Sequence, residues 1–401
     1  MANIAILGFG VVGSGVAEVI SENLEIIEKR INGKLNIKYI LDLRDFPDSP
    51  FGNLVVHDFD TILNDPEVTV VAEMMGGSHP AYDFSLAALK AGKSVVTSNK
   101  EVVSKFGAEL LRVARENNVR YLFEASVGGG IPIIRPLTAD LAANQVNSIS
   151  GILNGTTNYI LTQMGENGTD FADALKDAQK KGYAEANPTA DVDGIDAARK
   201  IVILASLAYG KLVSPDTIYT EGISKISVFD IELAKALGYS IKLIGHCEQK
   251  DGKILAMVSP RLIPAGNPLH NVNDVFNGIL VDANMLGQSM FYGRGAGKLP
   301  TASAVVADII DIAKSSVNDP CYPLIESAAS DDIAEFDSYT CKNLLVFESK
   351  ADDAVLDTFN ATEAIVKDGR VAFITEEISE KELADKLASL KDAPVSRIRL
   401  I

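Results

Sequence analysis

The opening residues restrict the fold more than any other stretch. Asn3-Ile-Ala-Ile-Leu-Gly8-Phe-Gly10-Val-Val-Gly13-Ser-Gly15-Val-Ala-Glu-Val-Ile20 is a short apolar run, a Gly-x-Gly-x-x-Gly turn, then a helix pattern. An uninterrupted apolar strand needs cover on both faces, which a parallel sheet with flanking helices supplies. The turn leaves bare backbone N–H groups at a helix N-terminus, where a pyrophosphate can sit with no side chain in the way. Glycine spacing alone is a weak signal, but the strand before it and the helix after it give it the required context. Gly8, Phe9, Gly10, Val11, Val12 and Gly13 are therefore expected to line a dinucleotide.

Leu35 to Arg44 reads as a second strand ending in Asp42-Leu-Arg44. An aspartate there suits the free 2′-hydroxyl of NAD and an arginine the 2′-phosphate of NADP, so both cofactors stay open. Val68 to Met75, before Gly76-Gly77, and Ser94 to Thr97, before Ser98-Asn99-Lys100, continue the alternation of strands with helices. Open parallel sheets bind ligands beyond the carboxyl ends of their strands, which places Thr97 and Lys100 at the nicotinamide half. Arg120 to Glu124 is a further strand running into Gly128-Gly-Gly-Ile-Pro132, a turn whose carbonyls can face a ligand. Ile149 to Leu153 runs into Asn154-Gly-Thr-Thr-Asn158, a helix start rich in amides and hydroxyls and a second anion or carbonyl site.

The densest cluster of charge follows. Gly182 to Lys200 holds Glu185, Asp191, Asp193, Asp196, Arg199 and Lys200 in a loop feeding a helix, and Ile195 to Tyr209 is Ala- and Leu-rich, stopping at Gly210. Asp196 and Lys200 are one turn apart on that helix, so a carboxylate lies beside an ammonium. A surface ion pair is the ordinary reading of such spacing. The helix beyond Lys200 is apolar on all sides, as in a buried element, and favours acid–base chemistry instead. Asp191-Val-Asp193-Gly lacks the further ligands of a calcium loop.

With 401 residues the chain calls for two or three domains. A net charge of −17 argues against nucleic acid and anionic membranes as partners. No run of about eighteen apolar residues could span a bilayer, and the N-terminus lacks the basic leader of a signal peptide. Cys247, Cys321 and Cys341 are few and scattered, which suits a reducing cytoplasm. The histidines (His57, His79, His246, His270) have no metal-ligand spacing.

Taken together, Gly8 to Gly13, Thr97-Ser-Asn-Lys100, Glu124-Ala-Ser-Val-Gly, Gly151-Ile-Leu-Asn-Gly-Thr-Thr-Asn158 and Gly182-Tyr-Ala-Glu185 through Asp196-Ala-Ala-Arg-Lys200 resemble homoserine dehydrogenase over roughly residues 1 to 315. The resemblance implies interconversion of L-homoserine and L-aspartate 4-semialdehyde with NAD(P), in threonine and methionine biosynthesis. It makes Lys200 the proton donor and acceptor, places Lys100 between cofactor and substrate, and gives Glu185 and Asp196 the substrate with Asp191 close by. Gly182, and Gly297 in the loop Gly293-Arg-Gly295-Ala-Gly297, would lie against the cofactor. Glu124 and the carbonyls of Val127, Gly129 and Ile131 would hold a monovalent cation, usually sodium. Lysine chemistry agrees. With a reference pKa of about 10.4, Lys200 is a poor base unless burial or a second cation, Lys100 or Arg199, lowers that value while Asp196 opposes. NADP-preferring relatives commonly carry an arginine just before the aspartate, whereas this chain has Leu41.

The expected architecture is a Rossmann-type parallel sheet (1–130), an α+β domain (131–318) and a small α+β tail (335–401), and the resemblance implies that the middle domain binds the substrate and makes the dimer, with its 296–315 helix returning to the nucleotide domain. The tail resembles a shortened ACT domain, although its first loop, Ser349 to Leu356, lacks Pro-Gly. Threonine sensing and a purely structural or dimerising role both remain open, as does dimer against tetramer. No kinase segment precedes residue 1, so a fused aspartokinase is not expected. Competing readings are another semialdehyde dehydrogenase on the same scaffold and a non-catalytic amino-acid sensor. A sensor would be expected to lack Lys200, Asp196 or Glu185, all of which are present.

Overall fold

The computed structural model describes residues 2–314, 322–323, 325–348, 353–359, 361 and 364–401, so Cys321 and the loop residues 349–352 lie outside the described residues. Two compact units emerge: Met1–Asn147 with Val202–Asp216 and Asp282–Ala328, and Ser148–Ile201 with Thr217–Val281 and Ala329–Ile401.

In the first unit β1 (Ala2–Leu7), β2 (Leu35–Leu41), β3 (Val55–Val56), β4 (Val68–Glu73), β5 (Ser94–Thr97) and β6 (Tyr121–Leu122) form one sheet in the order β3-β2-β1-β4-β5-β6. Every neighbouring pair is parallel. Ile4, Ala5, Ile6 and Leu7 are wholly buried, as a strand covered on both faces requires. Helix α1 (Val11–Glu22) leaves the end of β1, and α2 (Lys100–Glu116) leaves β5 with Asn99 as its cap, the side chain accepting from Val102 N–H. The helix Lys298–Lys314 belongs to this unit and ties Lys298 Nζ to Glu18 at 2.6 Å. Two strands are shorter than their patterns suggest. β2 stops at Leu41, and the run from Arg120 pairs only at Tyr121–Leu122 before a 3₁₀ turn at Glu124–Ser126. The Glu124 carboxylate draws the chain round there by accepting the N–H groups of Ile133, Ile134 and Arg135.

The second unit is a mixed sheet with helices. β7 (Val146–Ile152) reaches it from Ser148 onward, and β8 (Tyr219–Thr220), β9 (Tyr239–Lys250) and β10 (Lys253–Pro264) follow. The tail adds β11 (Asn343–Phe347), β12 (Ile365–Lys367), β13 (Arg370–Ile374) and β14 (Ser396–Leu400). From β7 the order runs β7-β9-β10-β14-β11-β13-β12, with β8 beside β10, and the strand Phe276–Ala283 lies on the other side of β7. β9 and β10 make a long antiparallel hairpin, while β14 runs parallel to β10 and antiparallel to β11. The tail strands thus continue the same sheet, and Leu345, Phe347, Phe359, Phe373, Ile378 and Leu383 give them their own small core. Two helices matter for function: α3 (Gly155–Asn167), which follows β7, and α4 (Ile195–Tyr209), with the limits that its apolar run and Gly210 suggest.

Candidate active site

The first unit presents a nucleotide cradle at the carboxyl end of its sheet. Gly8 adopts φ +86, and a Cβ on Gly13 would stand 1.9 Å from the Gly8 carbonyl oxygen, so only glycine lets α1 start this close to β1. Gly10 caps α1 with no side-chain bond, leaving first-turn N–H groups for an anion. A cavity of about 380 Å³ beside them is lined by Gly8, Gly10, Asp42, Leu43, Arg44, His57 and Met75, among others. Asp42 and Arg44 grip each other there. The Arg44 Nε and Nη2 donate to the two Asp42 oxygens at 3.0 and 3.1 Å, and Phe9 N–H donates to Asp42 Oδ2 at 2.8 Å. Hydrogen bonds from Arg44, outweighing partial burial, hold the Asp42 carboxyl down at about 2. A second cavity of about 450 Å³, lined by Ala2, Lys34, Ser94 and Arg120 among others, lies at the amino ends of β1 and β5, away from where such sheets bind nucleotides.

Beyond β4 and β5 the polar residues are knitted together by a group that sequence reasoning passes over. Glu73 is wholly buried, accepts from Thr97 Oγ1 and Met75 N–H at 2.7 Å each, and burial pushes its carboxyl up. Thr97 Oγ1 in turn accepts Asn99 N–H at 2.9 Å, and Asn99 Nδ2 donates to the Gly77 carbonyl. Lys100, half-buried, opens α2 from this support. Gly297, at φ +123, stands just before the helix Lys298–Lys314 of the same unit.

In the second unit the i,i+4 pair is real and buried. Lys200 is 7 % exposed and Asp196 6 %, and the Lys200 ammonium donates to Asp196 Oδ2 and to the Leu153 carbonyl, both at 2.7 Å. Asn154, at the turn between β7 and α3, brings in the loop acid. Its amide donates to Asp191 Oδ1 at 2.7 Å and to Asp196 Oδ2 at 2.9 Å, while its Oδ1 caps α3 by accepting Thr157 N–H at 2.9 Å. The structure therefore joins Asp191, Asp196 and Lys200 through Asn154, which the sequence marks as part of an anion- or carbonyl-binding helix start but not as a partner of these acids. Glu185 stands exposed on the same loop, its carbonyl accepting from Gln179 Nε2, and Gly182 precedes it at φ +77. Thr156 Oγ1 holds that loop by donating to the Tyr183 carbonyl.

The Glu124 turn is the remaining predicted site. Glu124 is buried, its N–H donates to Asp308 Oδ2, and Arg135 Nη2 donates to Asp308 Oδ1 at 2.7 Å. Burial and the nearby Glu124 push Asp308 up, against the pull of Arg135. Val127, Gly129 and Ile131, whose carbonyls are the other predicted ligands, are buried residues. Among the described residues no cluster of His, Cys, Asp and Glu could hold a metal, Cys247 and Cys341 are buried, and no helix is long and apolar enough to cross a membrane.

A parallel sheet with a glycine cradle and an acid after its second strand, in a chain that also buries a lysine–aspartate pair, defines a nicotinamide-dependent oxidoreductase. Comparison with known proteins agrees. Residues 8–124 match the model for the homoserine dehydrogenase NAD binding domain, and residues 132–310 match that for homoserine dehydrogenase. The homoserine dehydrogenase of Corynebacterium glutamicum is 44% identical over 346 residues, covering 84% of this chain and 78% of that protein. That of Neisseria gonorrhoeae is 38% identical over 427 residues, 99% of this chain and 98% of the relative. Among solved structures, a Thiobacillus denitrificans homoserine dehydrogenase superposes with a TM-score of 0.93 at 34% identity, covering 100% of this chain and 98% of that one. A hyperthermophilic archaeal homoserine dehydrogenase in complex with NADPH gives 0.66 at 30% identity, covering 78% and 97%. The chain belongs to the homoserine dehydrogenase family.

Proposed function

We propose that this chain interconverts L-homoserine and L-aspartate 4-semialdehyde, in threonine and methionine biosynthesis, with Lys200 as the proton-transferring group. The observation that carries the reading is the buried cluster in which Asn154 bonds Asp191 and Asp196 while Lys200 bonds Asp196. Bound NAD(P)H supplies the hydride and NAD(P)⁺ accepts it. Lys200 delivers a proton from Nζ to the substrate oxygen in the reductive direction and recovers it in the oxidative one. Asp196 and the Leu153 carbonyl orient the ammonium, and Asn154 lets two carboxylates share one site by donating to both. The substrate's own ammonium needs carboxylates, for which Glu185 and Asp191 are placed on one loop; Lys100 and Thr97 serve the nucleotide side.

Asp42 favours NAD over NADP. Its carboxylate, fixed by Phe9 N–H and held ionised, suits a ribose hydroxyl and repels a 2′-phosphate, and Arg44 is already engaged by it. The carbonyls of Val127, Gly129 and Ile131 with Glu124 are hard-oxygen donors of the kind a monovalent cation such as sodium takes, and such an ion would brace the Glu124 turn. The roles assigned to 1–130, 131–318 and 335–401, the homodimer or homotetramer, the cytoplasmic setting and the ACT-like nature of the tail belong to the same proposal.

The test is absorbance at the reduced-nicotinamide band with L-homoserine and NAD or NADP, for wild type beside Lys200→Ala. Homoserine-dependent reduction that disappears in a folded, cofactor-binding Lys200→Ala protein supports the reading. Folded wild type that turns over homoserine with neither cofactor ends it.

A further inference from the structure

The tail meets the substrate loop through one arginine. Arg399 lies on β14 opposite Arg261 of β10, with its side chain 2% exposed. Its guanidinium, a planar fork of five N–H donors, is divided between two carboxylates. Nε and Nη2 donate to Glu380 Oε1 and Oε2 at 2.8 and 3.1 Å, and Nη1 donates to Glu221 Oε2 at 2.6 Å. Its face covers the Tyr219 ring at 4.6 Å and the Phe336 ring at 5.3 Å, two rings that stack on each other. Tyr219 OH also donates to Glu221 Oε2, at 2.9 Å. Burial opposes the charge on Glu380, but Arg399 and Arg397 outweigh it and hold that carboxyl below its usual range. Glu221 is thus clamped at one oxygen by the tail.

The residue after Glu221 is where the backbone of the substrate loop rests. A Cβ on Gly222 would stand 2.1 Å from the Val192 carbonyl oxygen and 2.5 Å from Asp193 Cα, so the two stretches touch backbone to backbone. Ile223 N–H donates to the same Val192 carbonyl at 2.9 Å, and Glu221 N–H donates to the Val258 carbonyl of β10 at 2.8 Å. Val192 follows Asp191, and Gly194 leads through Ile195 into Asp196. Support under Val192 and Asp193 therefore sets where both acids stand relative to Asn154.

We propose that Arg399 is a positioning residue for the substrate loop: by fixing Glu221 it fixes the backbone at Gly222 and Ile223, on which Asp191 and Asp196 are carried. This rests on the assignment of those two acids to the substrate. A purely structural clamp would lower stability and leave the kinetics of the folded protein alone.

Arg399→Met keeps an unbranched apolar side chain in the buried position and deletes the fork, whereas Glu221→Gln leaves the Arg399–Glu380 bonds in place. At saturating cofactor and well below the melting temperature, both variants should raise KM for homoserine roughly tenfold, as expected for an indirect coupling of about 1.4 kcal/mol. The KM for the nicotinamide cofactor should stay within about twofold, and Arg399→Lys, which can still pair with Glu221, should recover part of the loss. Unchanged homoserine KM in folded Arg399→Met and Glu221→Gln overturns the proposal. If the wild type does not use homoserine, the functional assignment has failed instead. Amide exchange over residues 191–196 then decides: faster exchange in Arg399→Met supports positioning, and unchanged exchange removes it.

Discussion

Replacing Asn154 with serine separates two tasks that the asparagine performs at once. Its Oδ1 caps α3 on Thr157 N–H, and its Nδ2 donates to Asp191 and Asp196. Serine caps a helix about as well as asparagine, but its shorter hydroxyl cannot also bridge two carboxylates. The variant therefore loses two hydrogen bonds to charged groups, each contributing about 1.5–3 kcal/mol. Taking the lower figure for both, because water can enter a site built to admit substrate, the deficit is about 3 kcal/mol, or roughly a hundredfold in kcat/KM for homoserine. Asn154→Ala loses the same two bonds and also the cap, adding about 1 kcal/mol to the stability loss without a further fall in kcat/KM. Initial rates at the reduced-nicotinamide band with varied homoserine, alongside thermal melts, read both quantities. Turnover of Asn154→Ser within about threefold of wild type would mean that Asp191 and Asp196 keep their places without the bridge, and the role given to Asn154 would be wrong.

Three further outcomes are expected. Asp42→Ala should shift the NADP-to-NAD ratio of kcat/KM upward by at least about tenfold, since a carboxylate about 4 Å from a phosphate costs several kcal/mol before screening; a ratio that does not move rejects Asp42 as the discriminating group. Gly13→Ala would drive a methyl to 1.9 Å from the Gly8 carbonyl oxygen, so it should cost about 3 kcal/mol or more and abolish dinucleotide binding measured by fluorescence titration. Burial lowers Lys242, which donates to the Val272 carbonyl and Asn273, to about 8, whereas an unfolded lysine keeps its proton to about 10.4. Between those values the unfolded chain binds more protons, so this residue's contribution to stability rises with pH; urea midpoints of wild type minus Lys242→Met should climb from pH 8 to 10, and a flat difference refutes the assignment.

The nucleotide sheet and α4 were legible because their signals are local. A buried parallel strand is apolar throughout, a close strand–helix turn demands glycine, and a helix that ends at Gly210 declares its own limit. Asp196 and Lys200 were legible for the same reason, being one turn apart on that helix. What the sequence could not carry were partnerships between distant segments. Asp42 and Arg44 look like rivals for a ribose until the structure shows them bonded to each other. Asn154 looks like part of a helix start that could hold an anion or carbonyl, and its bonds to Asp191 and Asp196 depend on acids that arrive from another loop. Glu73 sits at the end of an apolar strand with no pattern to mark it, and its importance lies in the Thr97 hydroxyl that reaches it from β5. The insertion of β14 between β10 and β11 is set by packing across more than a hundred residues, which no local periodicity records.

The pairing of Lys200 has a consequence for side reactions. Under the proposed function the substrate is an aldehyde, and a neutral lysine beside an aldehyde condenses with it to an imine. An ammonium engaged by the Asp196 carboxylate and the Leu153 carbonyl has no lone pair with which to attack. The same contacts that aim a proton at the substrate oxygen thus keep the nitrogen from attacking while the aldehyde is bound, and because the proton leaves Nζ only as the aldehyde becomes the alcohol, covalent trapping by the substrate is avoided. Borohydride added during turnover should leave Lys200 unmodified.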